Sequence, residues 1–162
     1  MENGKIMMDI FQIFQVVVFS AMPLVEVRGG LPLALVLEFP KRWAFFYGVL
    51  GNTLGLFAAF FILDHLMPYL KKIGILNRIY LSSTRRALRG RKRYLRLRYW
   101  ALYLLVAIPL PGTGAWTAAL VSYLFRFDRQ QALLVIFAGI VTVTGLMLTL
   151  GVITIHGFRH FF

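Results

Sequence analysis

The chain has 162 residues, 59% of them hydrophobic, a mean hydropathy of +0.74 and a formal charge of +12. A soluble domain carries about 45–50% apolar residues, and so small a globule cannot bury so many more. An ordinary soluble fold is therefore excluded, lipid becomes the solvent for much of the surface, and the absence of cysteine excludes disulfides and thiolate chemistry.

Four apolar segments follow one another, and they differ in kind. The first, residues 10–38, is interrupted by Pro23, Gly29, Gly30 and Pro32. Proline removes a backbone donor and clashes with the preceding turn, and glycine loosens the helix. Four breakers within ten positions predict a helical hairpin rather than a kinked helix. No small-residue cleavage site follows, so the segment reads as structural rather than as a cleaved leader. The second segment, residues 43–69, is largely unbroken and exceeds the ~20 residues that cross a bilayer as a helix. Asp64 and His65 fall near its end, where the interface solvates them.

Residues 71–98 form a linker with eleven Lys or Arg and no acid. Standing alone, such a block would suit nucleic acid. Between two apolar halves it reads as a cytoplasmic linker obeying the positive-inside rule and touching anionic headgroups. Its interleaved Ile73, Leu76, Ile79 and Tyr80 predict an amphipathic helix lying in the interface. Membrane lipids are thus the expected partners, and nucleic acid is not. The third segment, residues 99–125, is broken by Pro109, Pro111, Gly112 and Gly114. The fourth, residues 132–156, reads as a second spanning helix.

The halves, residues 1–70 and 99–162, resemble each other within a single membrane domain. Ala21-Met22-Pro23-Leu24 matches Ala107-Ile108-Pro109-Leu110, and Leu33-Ala34-Leu35-Val36 echoes Ala118-Ala119-Leu120-Val121. If each broken segment enters and leaves on one face, each half crosses once and the halves are inverted. Hairpin arms of ~13 residues would be about 20 Å long at 1.5 Å per residue, which reaches the bilayer centre without crossing it. The expected fold is all-α integral membrane: an inverted repeat of re-entrant hairpin plus transmembrane helix, joined by the basic linker. The rival is four kinked spans with both termini and the linker inside.

Glu26 and Arg28 sit in the first break, far from either end of an apolar segment. Ionisable groups at such depth usually mark a substrate or proton path. The static alternative is a salt bridge that folds the hairpin. The second break carries no charge but offers backbone. Gly112, Thr113 and Gly114 precede an expected helix start, whose N–H groups and dipole suit an anion. Pro109 and Pro111 shape that turn, the Thr113 and Thr117 hydroxyls add donors, and Trp116 walls it. The alternative there is a Pro-Gly turn capped by Thr113. Asn52 is the best polar candidate within a span, ahead of Thr53, Thr142 and Thr144, which more often serve close helix packing. His156 and His160 have no partner at ligand spacing, so no metal is expected. No phosphate-binding loop, nucleophile elbow or dinucleotide motif occurs, so neither an enzyme nor a cofactor is expected.

Around Pro23-Leu24-Val25-Glu26-Val27-Arg28-Gly29-Gly30-Leu31-Pro32 and Ala107-Ile108-Pro109-Leu110-Pro111-Gly112-Thr113-Gly114-Ala115-Trp116-Thr117, the chain resembles the small multidrug export protein family of prokaryotes, and more distantly the DedA/VTT superfamily. The resemblance spans essentially the whole chain. It implies paired re-entrant hairpins, a prokaryotic cytoplasmic membrane and proton-linked movement of a lipid phosphate such as a polyprenyl-phosphate carrier. Only Glu26 and Arg28 match the acidic and arginine residues that carry DedA activity; the second break lacks the arginine found there. The expectation is a transporter of an amphipathic anion, with export of hydrophobic cations or a non-transporting scaffold as alternatives. The size of the bundle is compatible with a homodimer.

Overall fold

The computed structural model describes residues 2–23, 25–70, 92–110 and 112–161, with side chains at 10–23, 25–66, 97–110 and 112–151. Most of the basic linker, Pro111 and the side chains of His156 and His160 lie outside the described residues. The described residues form six helices and no strand: α1 (Glu2–Ala21), α2 (Glu26–Val36), α3 (Lys41–Leu70), α4 (Lys92–Ala107), α5 (Ala115–Leu124) and α6 (Arg129–Phe161). Helix α4 starts inside the basic block, because residues 92–98 contain no glycine or proline to stop it.

Both broken segments are helix–break–helix units. Helix α1 ends where Pro23 withholds an N–H and biases Met22 away from helical geometry. The first break is short: Glu26 N–H still bonds Met22 O at 3.0 Å, and the chain turns at Glu26 with φ +49. Helix α2 then folds back on α1, close enough that a Cβ on Gly30 would collide with the Ser20 hydroxyl. The second break, between Ala107 and Ala115, is longer and passes through Gly112 (φ +82) and Gly114 (φ +147).

Helices α2 and α5 end in the same turn. Leu37 N–H bonds Leu33 O, Glu38 N–H bonds Leu35 O and Phe39 N–H bonds Ala34 O. Phe125, Arg126 and Phe127 repeat this on Val121, Tyr123 and Ser122. This is the Schellman arrangement, with Glu38 (φ +59) and Arg126 (φ +50) in the left-handed position that glycine usually holds. The turns set Leu33 against Val121 and Ala34 against Ser122. The expected match of Leu33–Val36 to Ala118–Val121 is therefore displaced by nearly one helical turn, because the second break is longer than the first.

Helices α3 and α6 run antiparallel. Asp64 and Arg129 meet at 2.7 Å at one end, and a Cβ on Gly48 would lie 3.5 Å from the Thr144 methyl toward the other. Gly51 and Gly55, four apart on α3, form a small-residue groove that admits the α1 backbone. An added Cβ on Gly55 would lie 2.6 Å from Ala21 O, and one on Gly51 would strike Val17 O. Gly139 plays the same part on α6, where an added Cβ would lie 2.7 Å from Val106 Cβ. One core gathers Val16, Val27, Leu31, Ala34, Ala44 and Val143; the other gathers Leu56, Phe60 and the buried faces of α4, α5 and α6.

Helices α3 and α6 are the two long enough and apolar enough to cross a bilayer, over Lys41–Leu66 and Arg129–Gly151. Only 39% and 28% of their apolar stretches are buried in the protein. With Phe46, Phe57, Phe61, Leu134 and Leu150 exposed, the outer surface of a membrane protein is in view. Gly51→Ala is expected to cost about 1–3 kcal/mol by forcing α1 off α3. Gly145→Ala, whose Cβ meets only Phe45 at 3.9 Å, should be neutral or slightly stabilising. Thermal unfolding in detergent compares the two.

Candidate functional site

The two breaks meet, and each supplies what the other lacks. Helix α5 starts after Gly114, which has no side chain to cap the first turn, and no side chain of its own segment does so. The cap comes from the other half. Glu26 Oε1 accepts the Trp116 N–H at 3.3 Å. Trp116 is the second residue of α5, a position whose N–H a capping side chain normally takes, and the helix dipole favours a negative charge there. Glu26 is 5% exposed. Gly114 is required twice over: φ +147 suits only glycine, and any Cβ would occupy the space of the Glu26 carboxylate.

The reverse contacts involve Arg28 and Trp116. The Arg28 guanidinium donates to Leu110 O and, at 2.9 Å, to Thr113 Oγ1. Leu110 O lies where Pro109 and Pro111 leave the chain without a helical ladder. The Trp116 indole N–H donates to Ala21 O, the terminal carbonyl of α1, at 3.1 Å. Counted back from the two like turns, Glu26 corresponds to Gly114 and Arg28 to Trp116. Of these, Glu26 and Gly114 face one another across the junction.

The Glu26–Arg28 salt bridge of the static alternative does not form: the Glu26 carboxylate and the Arg28 guanidinium take separate partners. Residues two apart on a helix point in different directions, so Glu26 goes to α5 and Arg28 to the second break. Arg28 consequently holds only neutral acceptors, and its buried Nε has no hydrogen-bond partner. At the start of α5, where the sequence suggested an anion, the protein's own Glu26 carboxylate lies against Gly114 and Trp116. Thr113 does not cap α5; its hydroxyl bonds Ile108 O and Leu110 O at 3.1 and 2.8 Å and holds the turn. Thr117 ties back to Gly112 O at 3.0 Å.

The remaining candidates divide. Gly29 and Gly30 serve close approach, to Val25 and to Ser20. Pro109 lies exposed at the second break. Thr53, Thr142 and Thr144 bond carbonyls one turn back on their own helices. Asn52 is fully buried, with neither amide atom partnered. It lies one turn from Gly48, which faces Val27, and one turn from Leu56, which packs in the core with Ala115. It therefore backs the junction at the level where α2 and α5 begin. The buried Ser20 hydroxyl, likewise unpartnered, and the Ala21 and Leu110 carbonyls were not anticipated. Carbonyls leave no trace in residue type, and a serine in an apolar helix reads as a packing residue.

A helical membrane protein whose two interrupted segments cap one another is the class this arrangement defines. A family model described as "Putative small multi-drug export protein" matches residues 26–146, which include Glu26, Arg28, the second break, the first apolar span and most of the second, and the chain belongs to that family. No curated protein and no solved structure matches it.

Gly114→Ala should cost about 1–3 kcal/mol from backbone strain alone and should expel Glu26 from α5. Gly112→Asn, at an open position with a φ that asparagine tolerates, should cost under about 1 kcal/mol. Unfolding in detergent, followed with Trp116 fluorescence, separates them. A Gly114→Ala protein as stable as the wild type would contradict the carboxylate's position.

Proposed function

We propose that the chain is a membrane transporter of an amphipathic anion such as a lipid phosphate, and that the junction between the two breaks is its gate. The observation that carries this reading is Arg28, a cation whose guanidinium is held at the junction by a carbonyl and a hydroxyl, while the nearby acid, Glu26, is turned onto the start of α5. An entering phosphate competes with Leu110 O for Arg28, and with Glu26 for the N–H groups at the start of α5. Charge-assisted bonds to phosphate outweigh bonds to neutral acceptors. The displaced Glu26 takes up a proton, which couples the anion's passage to proton movement, and no phosphate-bond chemistry is involved.

In this reading the halves form an inverted repeat, and the broken units are re-entrant hairpins entering from opposite faces. Three observations favour that topology. Helices α3 and α6 are antiparallel, the breaks touch, and α1 runs alongside α3 in the same direction, Val17 lying by Gly51 and Ala21 by Gly55. Unpaired backbone can lie at membrane depth only when protein or a wet cavity encloses it. The basic linker then faces the cytoplasm of a prokaryotic cell, its charges among anionic headgroups, and both chain termini face the opposite side. The protein has no cysteine, so single substitutions report topology cleanly. In intact cells an impermeant thiol reagent should label Asn3→Cys, and should label Ser83→Cys only after permeabilisation. Protection of both would favour four kinked spans.

The family description favours a second reading, export of hydrophobic cations with Glu26 as the exchange site. Arg28 argues against it, since a fixed positive charge at the gate repels a cation. Liposomes carrying the purified protein, a fluorescent short-chain lipid phosphate or a lipophilic cation, and an optional pH gradient decide between the two. Anion flux should fall at least tenfold in Arg28→Gln, and its dependence on the pH gradient should vanish in Glu26→Gln. Undiminished anion flux in both variants would sink the proposal. Cation flux that survives Arg28→Gln but not Glu26→Gln would establish the alternative, and no flux of either kind would leave a scaffold.

A further inference from the structure

A cavity of about 260 Å³ lies at the end of the protein nearest the basic linker, away from the junction. Phe60, Asp64, Tyr123, Arg126, Phe127 and Arg129 wall it. Arg98 packs on the Phe127 of that wall, donating to Phe125 O at 2.7 Å with its guanidinium 4.4 Å from the centre of the Phe127 ring. The acid in the wall, Asp64, is already paired with Arg129 at 2.7 Å. Asp128 next to it is turned onto α6, where its carboxylate accepts the Gln131 N–H at 3.0 Å. Three arginines thus line or adjoin a cavity whose wall holds one acid.

A Schellman turn does not require that charge. At the opposite end a cavity of about 290 Å³ is built on the matching Schellman turn, bordered by Gln12, Leu37, Glu38, Phe39, Trp43 and Tyr47. There Glu38 takes the left-handed position that Arg126 holds here. Counted from the equivalent α1–α3 and α4–α6 contacts, Gln12 takes the place of Arg98. The turn closes equally well with either sign of charge and without an arginine beside it. Arg98 and Arg129 also tie the fold, through Phe125 O and Asp64, and together with Arg126 they lie at the end of two spans where a bilayer presents headgroups.

We infer that the linker-side cavity binds the phosphate of an anionic lipid headgroup, with Arg98 and Arg126 as its ligands. Arginine forks match phosphate geometry. The cavity is smaller than the about 300–1,000 Å³ of sites for whole drug-sized molecules, so it takes a headgroup and leaves the acyl chains outside. Exposed Leu97 and Phe61, each adjacent in sequence to a residue of the site, offer apolar surface for those chains. The site is independent of the transport reading, because it is a property of binding at rest.

The test uses the full chain in nanodiscs of phosphatidylcholine with one-fifth phosphatidylglycerol, released into the gas phase for native mass spectrometry. The wild type should retain phosphatidylglycerol, and Arg98→Gln/Arg126→Asn, which leaves residues 71–96 untouched, should lose at least tenfold of that retention. Asparagine is chosen at 126 because it tolerates the left-handed backbone. The double lysine variant Arg98→Lys/Arg126→Lys should keep part of the retention. Thermal unfolding in pure phosphatidylcholine checks the fold; if the double variant fails to fold, the two single variants are read instead, each expected to lose several-fold. Inorganic phosphate added to pure phosphatidylcholine discs identifies the source: stabilisation of the wild type but not of the variant would assign the same arginines to a free anion. Equal retention of phosphatidylglycerol by wild type and neutral variants overturns the inference and leaves lipid attraction to the linker alone.

Discussion

A backbone that leaves the helical ladder inside a membrane must find every lost hydrogen bond within the protein, because hydrocarbon offers none. Pro23 and the Pro109–Gly114 stretch free such groups in both halves; each break satisfies some of them with its own turn, as Thr113 does on Leu110 O, and the other half supplies the rest. Glu26 caps the α5 start, the Trp116 indole takes the α1 terminal carbonyl, and Arg28 takes Leu110 O. The consequence is mutual dependence. Each unit of two short helices is complete only when the other is docked against it, which fixes how the two antiparallel long helices must bring the breaks to one level. The glycines on the long helices follow from the same demand, since α1 reaches its place only by lying in the groove of Gly51 and Gly55.

The part of this that was legible in the sequence is the part governed by residue type over several positions. Clustered proline and glycine announced both breaks, unbroken apolar runs announced α3 and α6, and depth alone singled out Glu26 and Arg28. What escaped was set by geometry across long separations. Glu26 and Arg28, two apart, read as partners, yet a helix sends them in different directions, and their true partners lie at 110–116. The register of the second arm was misread because Ala-Ala-Leu-Val resembles Leu-Ala-Leu-Val, whereas the turns align Leu33 with Val121. Those turns were invisible for a related reason. A Schellman turn is usually announced by glycine, and here Glu38 and Arg126 hold the position instead. The start of α1 at Glu2 and of α4 at Lys92 also went unseen, because polar helix formers carry no hydropathy signal.

The two helix–break–helix units have similar layouts and differ in chemistry at three corresponding points. Glu26 faces its equivalent Gly114, Arg28 corresponds to Trp116, and Glu38 corresponds to Arg126. At the junction the pairing is complementary in shape as well as charge: the absent side chain of Gly114 is the space that the Glu26 carboxylate needs. Two identical units could not do this, since two glutamates at the junction would repel and two glycines would leave both helix starts uncapped. The inequality of the halves is therefore a requirement of closing the junction.

Strength is distributed unevenly along that contact. The interior faces of α3 and α6 are packed with alanine, isoleucine and valine at or near zero exposure, where even one added or lost methylene is felt. The junction, by contrast, rests on a few polar contacts. The bond from Trp116 N–H to Glu26 lies beyond the ordinary 2.7–3.2 Å range. On α3 and α1, Asn52 and Ser20 are buried without partners, and each unsatisfied group costs about 1–3 kcal/mol. A region that holds polar atoms at such cost gains free energy when it opens enough to solvate them or to admit a polar ligand, while the apolar faces only lose. The long helices form the frame, and the meeting of the two breaks is the part of the molecule with most to gain from moving.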